Sequence, residues 1–425
     1  MKKRLVLVLV VCLCVGILAA GCAPKEPEAS ASAEPEASAP SEETAAPAAE
    51  VSEITLWNYW ETPKHQETLG RVVDEFNASQ DSVVLTTEYI PFADFKKQLS
   101  IGVVSDQLPD IVIIDNPDHA AYASMGIFAD LTDKLADWPD LDQYYQGPVN
   151  SATLDGRLYG LPFGSNCLLL FYNEDMLAEA DCEVPATWDD LISVGKATTK
   201  DGVTGLGVSA LQNEEGTFQF LPWLWSTGAT SYEMNSEGGI RALTLYQDLI
   251  AEGAMSKEVI NWTQGDAMNQ FISGNLAMMI NGPWQVPTMR AEAPDLNWNV
   301  APIPEDAMQA SDLGGENFAI INNDNVDASV SFLKFVASPD MMTTYINDFG
   351  YIASRQDVSE TQFTDDPIMQ AFADEMQYAY PRGPHPRWPE ISNAISLAFN
   401  EVITETSDPA TAAQKAQDTI DGIIQ

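Results

Sequence analysis

Residues 109–115 read Pro-Asp-Ile-Val-Ile-Ile-Asp. A run of β-branched residues closed by turn residues is the pattern of a parallel strand buried on both faces. Asp115 and Asn116 then lie at its carboxyl end, the place where open α/β sheets bind ligands. The flanking sequence agrees. Residues 53–57 read as a strand. Thr62-Pro63 supplies an N-cap and a proline in the first helical turn, and Leu69, Val72, Val73 and Phe76 recur at i, i+3, i+4 and i+7. Residues 83–89 are β-rich and 92–104 read as a helix.

The second half repeats this alternation. Residues 167–171 read as a strand and 173–180 as a helix, and Thr187 caps a helix running to about residue 198. LAMMI at 276–280 is a short buried strand, and Asn281-Gly282-Pro283-Trp284 turns it into another helix. Val326, Val330, Leu333 and Val336 or Ala337 mark an amphipathic helix that Ser338-Pro339 ends. The last third is mostly helical. Strand alternating with helix predicts an α/β fold. Roughly 370 residues beyond the N-terminal segment are too many for one core and suit two domains.

That N-terminal segment carries its own signal. Lys2, Lys3 and Arg4 precede an apolar stretch over residues 5–17, too short for a comfortable membrane span. It ends Leu18-Ala19-Ala20-Gly21-Cys22, which resembles the lipobox of bacterial lipoproteins, with Ala19 where such motifs more often carry Leu. The resemblance implies a signal peptide over 1–21, cleavage before Cys22, and a diacylglyceryl anchor on its thiol. Residues 23–52 are nearly all Ala, Pro, Glu and Ser and read as a disordered tether. A long tether on a lipid anchor suits the outer face of the cytoplasmic membrane in a single-membrane, Gram-positive-type cell.

The formal net charge is −43. Such a chain repels nucleic acid and anionic headgroups, which removes both as partners. The acids are spread along the whole chain, the pattern of a solvated acidic surface. Cys12 and Cys14 leave with the signal, so Cys167 and Cys182 remain in the fold, and they read as two unlinked thiols. No Cys/His cluster suggests a metal, and nothing suggests a cofactor. Asn322-Asn323-Asp324-Asn325 reads as a polar turn, since it lacks the glycine and spacing of a calcium loop.

Several segments together resemble the family 1 extracellular solute-binding proteins, the group that contains maltose-binding protein. They are PDIVIID at 109–115, DGRLYGLPFGSNCLLLFYNEDML at 155–177, ATWDDL at 186–191, GNLAMMINGPW at 274–284, GGENFAI at 314–320 and FLKFVASPD at 332–340. The resemblance implies a two-lobed binding-protein fold, with ligand in a cleft between lobes joined by crossing strands. It places lobe one at 53–163 plus 305–345 and lobe two at 164–304 plus 346–425. It further implies a monomer that captures a sugar or oligosaccharide and delivers it to the permease subunits of an ABC importer.

A sugar offers flat C–H faces and directional hydroxyls, so its site needs aromatic planes edged by Asp, Asn, Glu and Arg. On the implied fold, Tyr59, Trp60 and Glu61 follow the first strand, Asp115 and Asn116 the third, and Asn166 sits at the lobe crossover. Trp284 matches the family's sugar-stacking residue after Gly-Pro. Asn166 matches a cleft position that is acidic in maltose-binding protein, which argues against maltose. Glu316 and Asn317 follow Gly314-Gly315, whose backbone permits close approach to a ligand. Trp223 and Trp225 are two apart on a helix and point about 200° apart, so one at most faces ligand, with Trp225 preferred. Arg382 and Arg387 lie in a Pro-rich loop that either binds ligand or links helices. Trp57 and Trp188 read as packing residues, while Trp262 and Trp388 suit either role.

The alternatives are a binding protein for a polyamine or metal, and a secreted glycoside hydrolase. The hydrolase needs two carboxylates flanking a glycosidic bond. No catalytic motif stands out, and His65, His119 and His385 form neither a metal-binding nor a triad pattern. The ten tryptophans favour a sugar.

Overall fold

The structure is a computed structural model that describes residues 51–383 and 385–424. The expected signal segment, Cys22 and the tether up to residue 50 lie outside the described residues. In chain order the strands are β1 (Ser52–Asn58), β2 (Val83–Tyr89), β3 (Ile111–Asp115), β4 (Thr153–Leu154), β5 (Arg157–Leu158) and β6 (Gly160–Asn166). There follow β7 (Leu169–Asn173), β8 (Thr204–Gly207), β9 (Leu276–Asn281), β10 (Trp298–Ala301), β11 (Ser311–Ile320), β12 (Ile352–Ala353) and β13 (Ala379–Pro381).

All five residues of β3 are buried. One neighbour, β1, runs parallel to it, while the other, β11, runs antiparallel. The expected all-parallel setting is therefore half right. β11 re-enters the first sheet from the second lobe, and that return path reverses its direction. The first sheet has the order β12-β6-β11-β3-β1-β2, with β13 added along β11. The second has the order β10-β7-β9-β8. β4 and β5 form a small separate ribbon.

The helices follow the periodicity that predicts them. Thr62 accepts a hydrogen bond from His65 N and starts the helix Pro63–Ser79, which buries Leu69, Val72, Val73 and Phe76 against the first sheet. Thr187 and Asp190 form a reciprocal capping box on Trp188–Thr198. Along β7 the side chains alternate between two cores. Leu168 and Leu170 enter the one that holds the C-terminal helices, and Cys167, Leu169 and Phe171 enter the other. Both of these cores flank the second sheet, while the first sheet packs in a separate apolar cluster of its own.

We propose that the chain crosses between lobes at Asn166–Leu169, returns between Ala301 and Ser311, and crosses again after Val358. Ser311 ties the first two crossings together. Its hydroxyl donates to Leu168 O at 2.8 Å and accepts from Leu168 N at 2.9 Å. The sequence reading ended the first lobe at residue 345. However, Ile346, Phe349, Tyr351, Ala353 and Val358 pack in the first core. We accordingly propose a boundary near residue 360. The aromatic residues explain the shift, because Phe349 and Tyr351 surround Phe163 of β6 and cannot leave that core.

Phe163 is the hub of this packing. It is buried, and the rings of Trp60, Phe318, Tyr345, Phe349 and Tyr351 have centroids 4.9–5.6 Å from its own. Phe163→Ala should cost about 3–5 kcal/mol of stability. A denaturant melt followed by tryptophan fluorescence measures this, and a loss below about 1 kcal/mol would show that the cluster closes around the gap.

Candidate functional site

A cavity of about 170 Å³ opens where the carboxyl ends of β1 and β3 face the second lobe. The loop after β1 builds one wall. Asn58 Oδ1 accepts from Trp60 N at 3.3 Å and from Gln66 Nε2 at 2.7 Å, which fixes the turn. Trp60 is wedged against Phe349 and Phe163, and Tyr59 meets Phe92 and Phe95 edge-on. Glu61 follows at the exposed rim.

The opposite wall comes from the second lobe. Asn213 caps the helix Glu214–Ser226, and its first turn presents Glu214, Glu215 and Phe218 to the cavity. Trp284 follows β9 in a short turn. Its ring lies across Gly282, where a Cβ would collide with it. Trp284 stands 6.1 Å from Phe218 and packs partly against both main cores.

Arg382 joins the walls. It donates to Asp115 through both terminal nitrogens, at 2.9 and 2.8 Å, and to Glu214 at 2.7 Å, and lies 3.5 Å from Asp312. Its guanidinium sits 4.3 Å above the Phe218 ring. Burial opposes the charge, but Asp115, Asp312 and Glu214 more than offset it and hold the group well above its ordinary value. Trp388 Nε1 also donates to Glu214, which assigns that tryptophan to packing. Arg387 pairs with Glu390 at the surface.

Glu316 projects from β11 and accepts from the Tyr351 hydroxyl at 2.8 Å. Burial, then the charge of Asp115, pushes its carboxyl up to about 8. Burial pushes His65, also in the lining, down to about 4 and keeps it neutral. Glu316 Oε2, Asn166 Oδ1 and Gln264 Nε2 make no hydrogen bond within the protein. Buried polar atoms without partners are costly and suit a ligand that supplies the missing bonds. Among the described residues no group of three or more His, Cys, Asp or Glu side chains is placed to hold a metal ion. Cys167 and Cys182 are free thiols.

Of the residues singled out from sequence, Tyr59, Trp60, Glu61, Asp115, Asn166, Trp284, Glu316 and Arg382 line the cavity. Four do not. Asn317 follows Glu316 on β11, so its side chain leaves by the other face and contacts Ser151 Oγ at 3.1 Å and His119 Nδ1 at 3.3 Å. Asn116 starts the next helix and sits behind Gly315. Trp223 and Trp225 are both buried in the second core, with Trp225 set against Tyr380. Their helix reaches the cleft with its first turn, and both tryptophans lie more than a turn further on. Gly315, at φ 140°, also differs from expectation. A side chain there would strike the backbone of Gly164, so the glycine serves the approach of β6 rather than of a ligand alone. Sequence reasoning missed Glu214 and Glu215, and pointed to Phe218 only as a companion of Trp223 and Trp225. The Asn213 cap followed by two acids and an aromatic one turn on was the available signal.

The chain matches, over residues 71–371, the family described as bacterial extracellular solute-binding protein. It is 27% identical to the lactose-binding protein of Rhizobium radiobacter over 69% of this chain and 72% of that one. It is 21% identical to the galactooligosaccharide-binding protein of Bacillus subtilis over 98% and 97%. Among solved structures, an ABC transporter solute-binding protein from Thermotoga lettingae, bound with α-D-tagatose, superposes with a TM-score of 0.82. That protein is 25% identical, with 88% of this chain and all of that one covered.

The buried acids set a pH dependence. Burial is the main cause that raises Asp118 and Glu375 to about 7 and Glu215 and Glu316 to about 8. The folded chain then holds protons that the unfolded chain has already released, so stability falls as pH rises through these values. His65 and His119, depressed to about 4 and 3, act in the opposite sense, but only below their ordinary 6.5. The ligand-free melting temperature should therefore drop between about pH 6.5 and pH 8.5, by roughly 1–2 °C per kcal/mol lost. Scanning calorimetry tests this, and a rise across that window would contradict the assigned protonation.

Proposed function

This chain belongs to the bacterial extracellular solute-binding proteins, and on that premise we propose that it captures a sugar or oligosaccharide between its lobes and hands it to an ABC permease. The observation that carries this reading is the pairing of aromatic planes with unpartnered buried polar atoms in one cavity. Trp60 and Tyr59 come from one lobe, Trp284 and Phe218 from the other. Rings cover the apolar C–H faces of a pyranose, and the unpartnered groups take its hydroxyls. Relatives named for binding lactose and galactooligosaccharides support the choice of ligand class.

The mechanism is a clamp. Ligand favours the closed arrangement only through contacts that the open one lacks. First-lobe groups meet the sugar in either state, so contacts from Trp284, Phe218 and Glu215 supply the difference. The protein performs no chemistry on its ligand. It works as a monomer tethered through an acylated Cys22 to the outer face of the cytoplasmic membrane. Among the described residues no helix is long and apolar enough to cross a membrane, and the proposed anchor rests on the lipobox-like sequence.

Trp284→Ala should weaken binding tenfold or more, about 1.4 kcal/mol, with little loss of stability because the ring is only partly buried. Titration calorimetry and small-angle scattering on both proteins decide it, with wild type compacting on saturation and returning its sugar uncleaved. Unchanged affinity in the variant would remove Trp284 from the site. In cells, Cys22→Ala should shift the protein from the membrane pellet to the medium, and a variant that still pellets would point to a different anchor.

A further inference from the structure

Three carboxylates converge on one backbone turn, the start of the helix Gln264–Ile272. Glu215 accepts a hydrogen bond from Gln264 N. Glu61, carried by the other lobe, sets Oε1 so close to Gly265 that a Cβ there would collide with it. Asp266 closes the capping box with Thr263. Deeper in the same cavity, Asn166 Oδ1 is an acceptor without a donor, and Glu316 Oε2, beside the Tyr59 hydroxyl, makes no hydrogen bond of good geometry; both residues are more than nine-tenths buried.

Positive charge is scarce. Among the described residues, no lysine or arginine forms an ion pair with Glu61, Glu215, Asp266 or Glu316. Arg382 is committed to Asp115, Glu214 and Asp312, and Lys96 to Asp118. Glu61 and Glu215 therefore bring two carboxyls together from opposite lobes, and a closed, empty cleft must either oppose like charges there or hold a proton. A hydroxyl offers one proton and no charge, whereas an ammonium offers three donors and the missing charge.

Building on the reading of the cleft as a saccharide site, we infer that its preferred saccharide carries a protonated amine, held between Glu61 of the first lobe and Glu215 of the second. Trp284 and Phe218 cover the ring, and Glu316 and Asn166 take further donors. The charge state of the empty cleft agrees. Burial, with repulsion from Glu61 and Asp266, pushes Glu215 up to about 8 against the opposing bond from Gln264. Burial and Asp266 raise Glu61. An ammonium entering near neutral pH displaces protons from these groups.

The test is calorimetric titration of the full-length protein with matched amino, N-acetylated and unsubstituted mono- and disaccharides of gluco, galacto and manno configuration. At about pH 7, where Glu215 gives up its proton more readily than in acid, the best amino form should bind at least about tenfold tighter than its N-acetylated and unsubstituted counterparts. Near neutral pH, repeating the titration in buffers of different ionisation enthalpy should show protons released by the amino form only. Glu61→Gln and Glu215→Gln, made separately, should each bring the amino to N-acetyl ratio towards one. The wild-type comparison decides the matter even where a variant fails to fold. Equal affinity across the three forms would overturn the inference and leave the saccharide reading standing. No binding anywhere in the panel, with tight binding of spermidine, would overturn the saccharide reading itself.

Discussion

The buried guanidinium of Arg382 is the constraint around which the cleft is organised. Asp115 ends a strand of the first sheet, Glu214 begins a helix of the second lobe, and Asp312 sits on the strand that returns between them. One guanidinium reaches all three, and because it is a single cation, burial still pushes the Asp312 carboxyl well above its ordinary value. Buried ion pairs of this kind seldom add net stability, because desolvation costs about as much as the pairing returns. What the arrangement supplies is geometry. The planar fork of an arginine fixes Asp115 bidentately and orients Glu214 beside it, which sets the spacing of the two walls at the cavity floor.

The aromatic cluster around Phe163 supports the same floor from behind. It joins the loop after the first strand to the segment that follows the second lobe crossing, through Trp60, Phe349 and Tyr351. Tyr351 then donates to Glu316, so the packing of the first core reaches the cavity surface through a single hydroxyl. Ser311 plays the corresponding part at the hinge, bonding both polar backbone groups of Leu168. A hinge tied by one hydroxyl just beyond the end of a paired ladder can bend with little loss of backbone bonding. That suits a two-lobed clamp better than a loose linker does.

The cavity's electrostatics divide into two zones. The floor carries cations, Arg382 on Asp115 and Glu214 and, behind it, Lys96 on Asp118. The rim is uncompensated, and there Glu61 and Glu215 come from opposite sides. In a chain whose formal charge is −43, exposed acids mostly mark a solvated surface. The rim acids differ because closure removes water from them. The local deficit of positive charge, and not the overall acidity, is therefore what bears on ligand preference.

The local elements were legible in the sequence because each depends on local chemistry. Apolar period marked the helix 63–79, Thr62 and Thr187 marked helix starts, and the β-branched run at 111–114 marked a central strand. Asp115 and Trp60 were legible as cleft residues because they lie at or just past the carboxyl ends of strands, although Asn116, next to Asp115, turns away into a helix. Three things were decided by the tertiary structure alone. The direction of β11 depends on the path through the second lobe, which left β3 in a mixed sheet. The fate of the tryptophans depends on which turn of a helix reaches the cleft, so Trp223 and Trp225 are core while Phe218 is wall. The meeting of Glu61 with Glu215, and of Arg382 with Asp115 and Glu214, joins residues more than a hundred and fifty positions apart. Sequence spacing carries no information about such pairs, because they exist only once two separately packed lobes have been brought face to face.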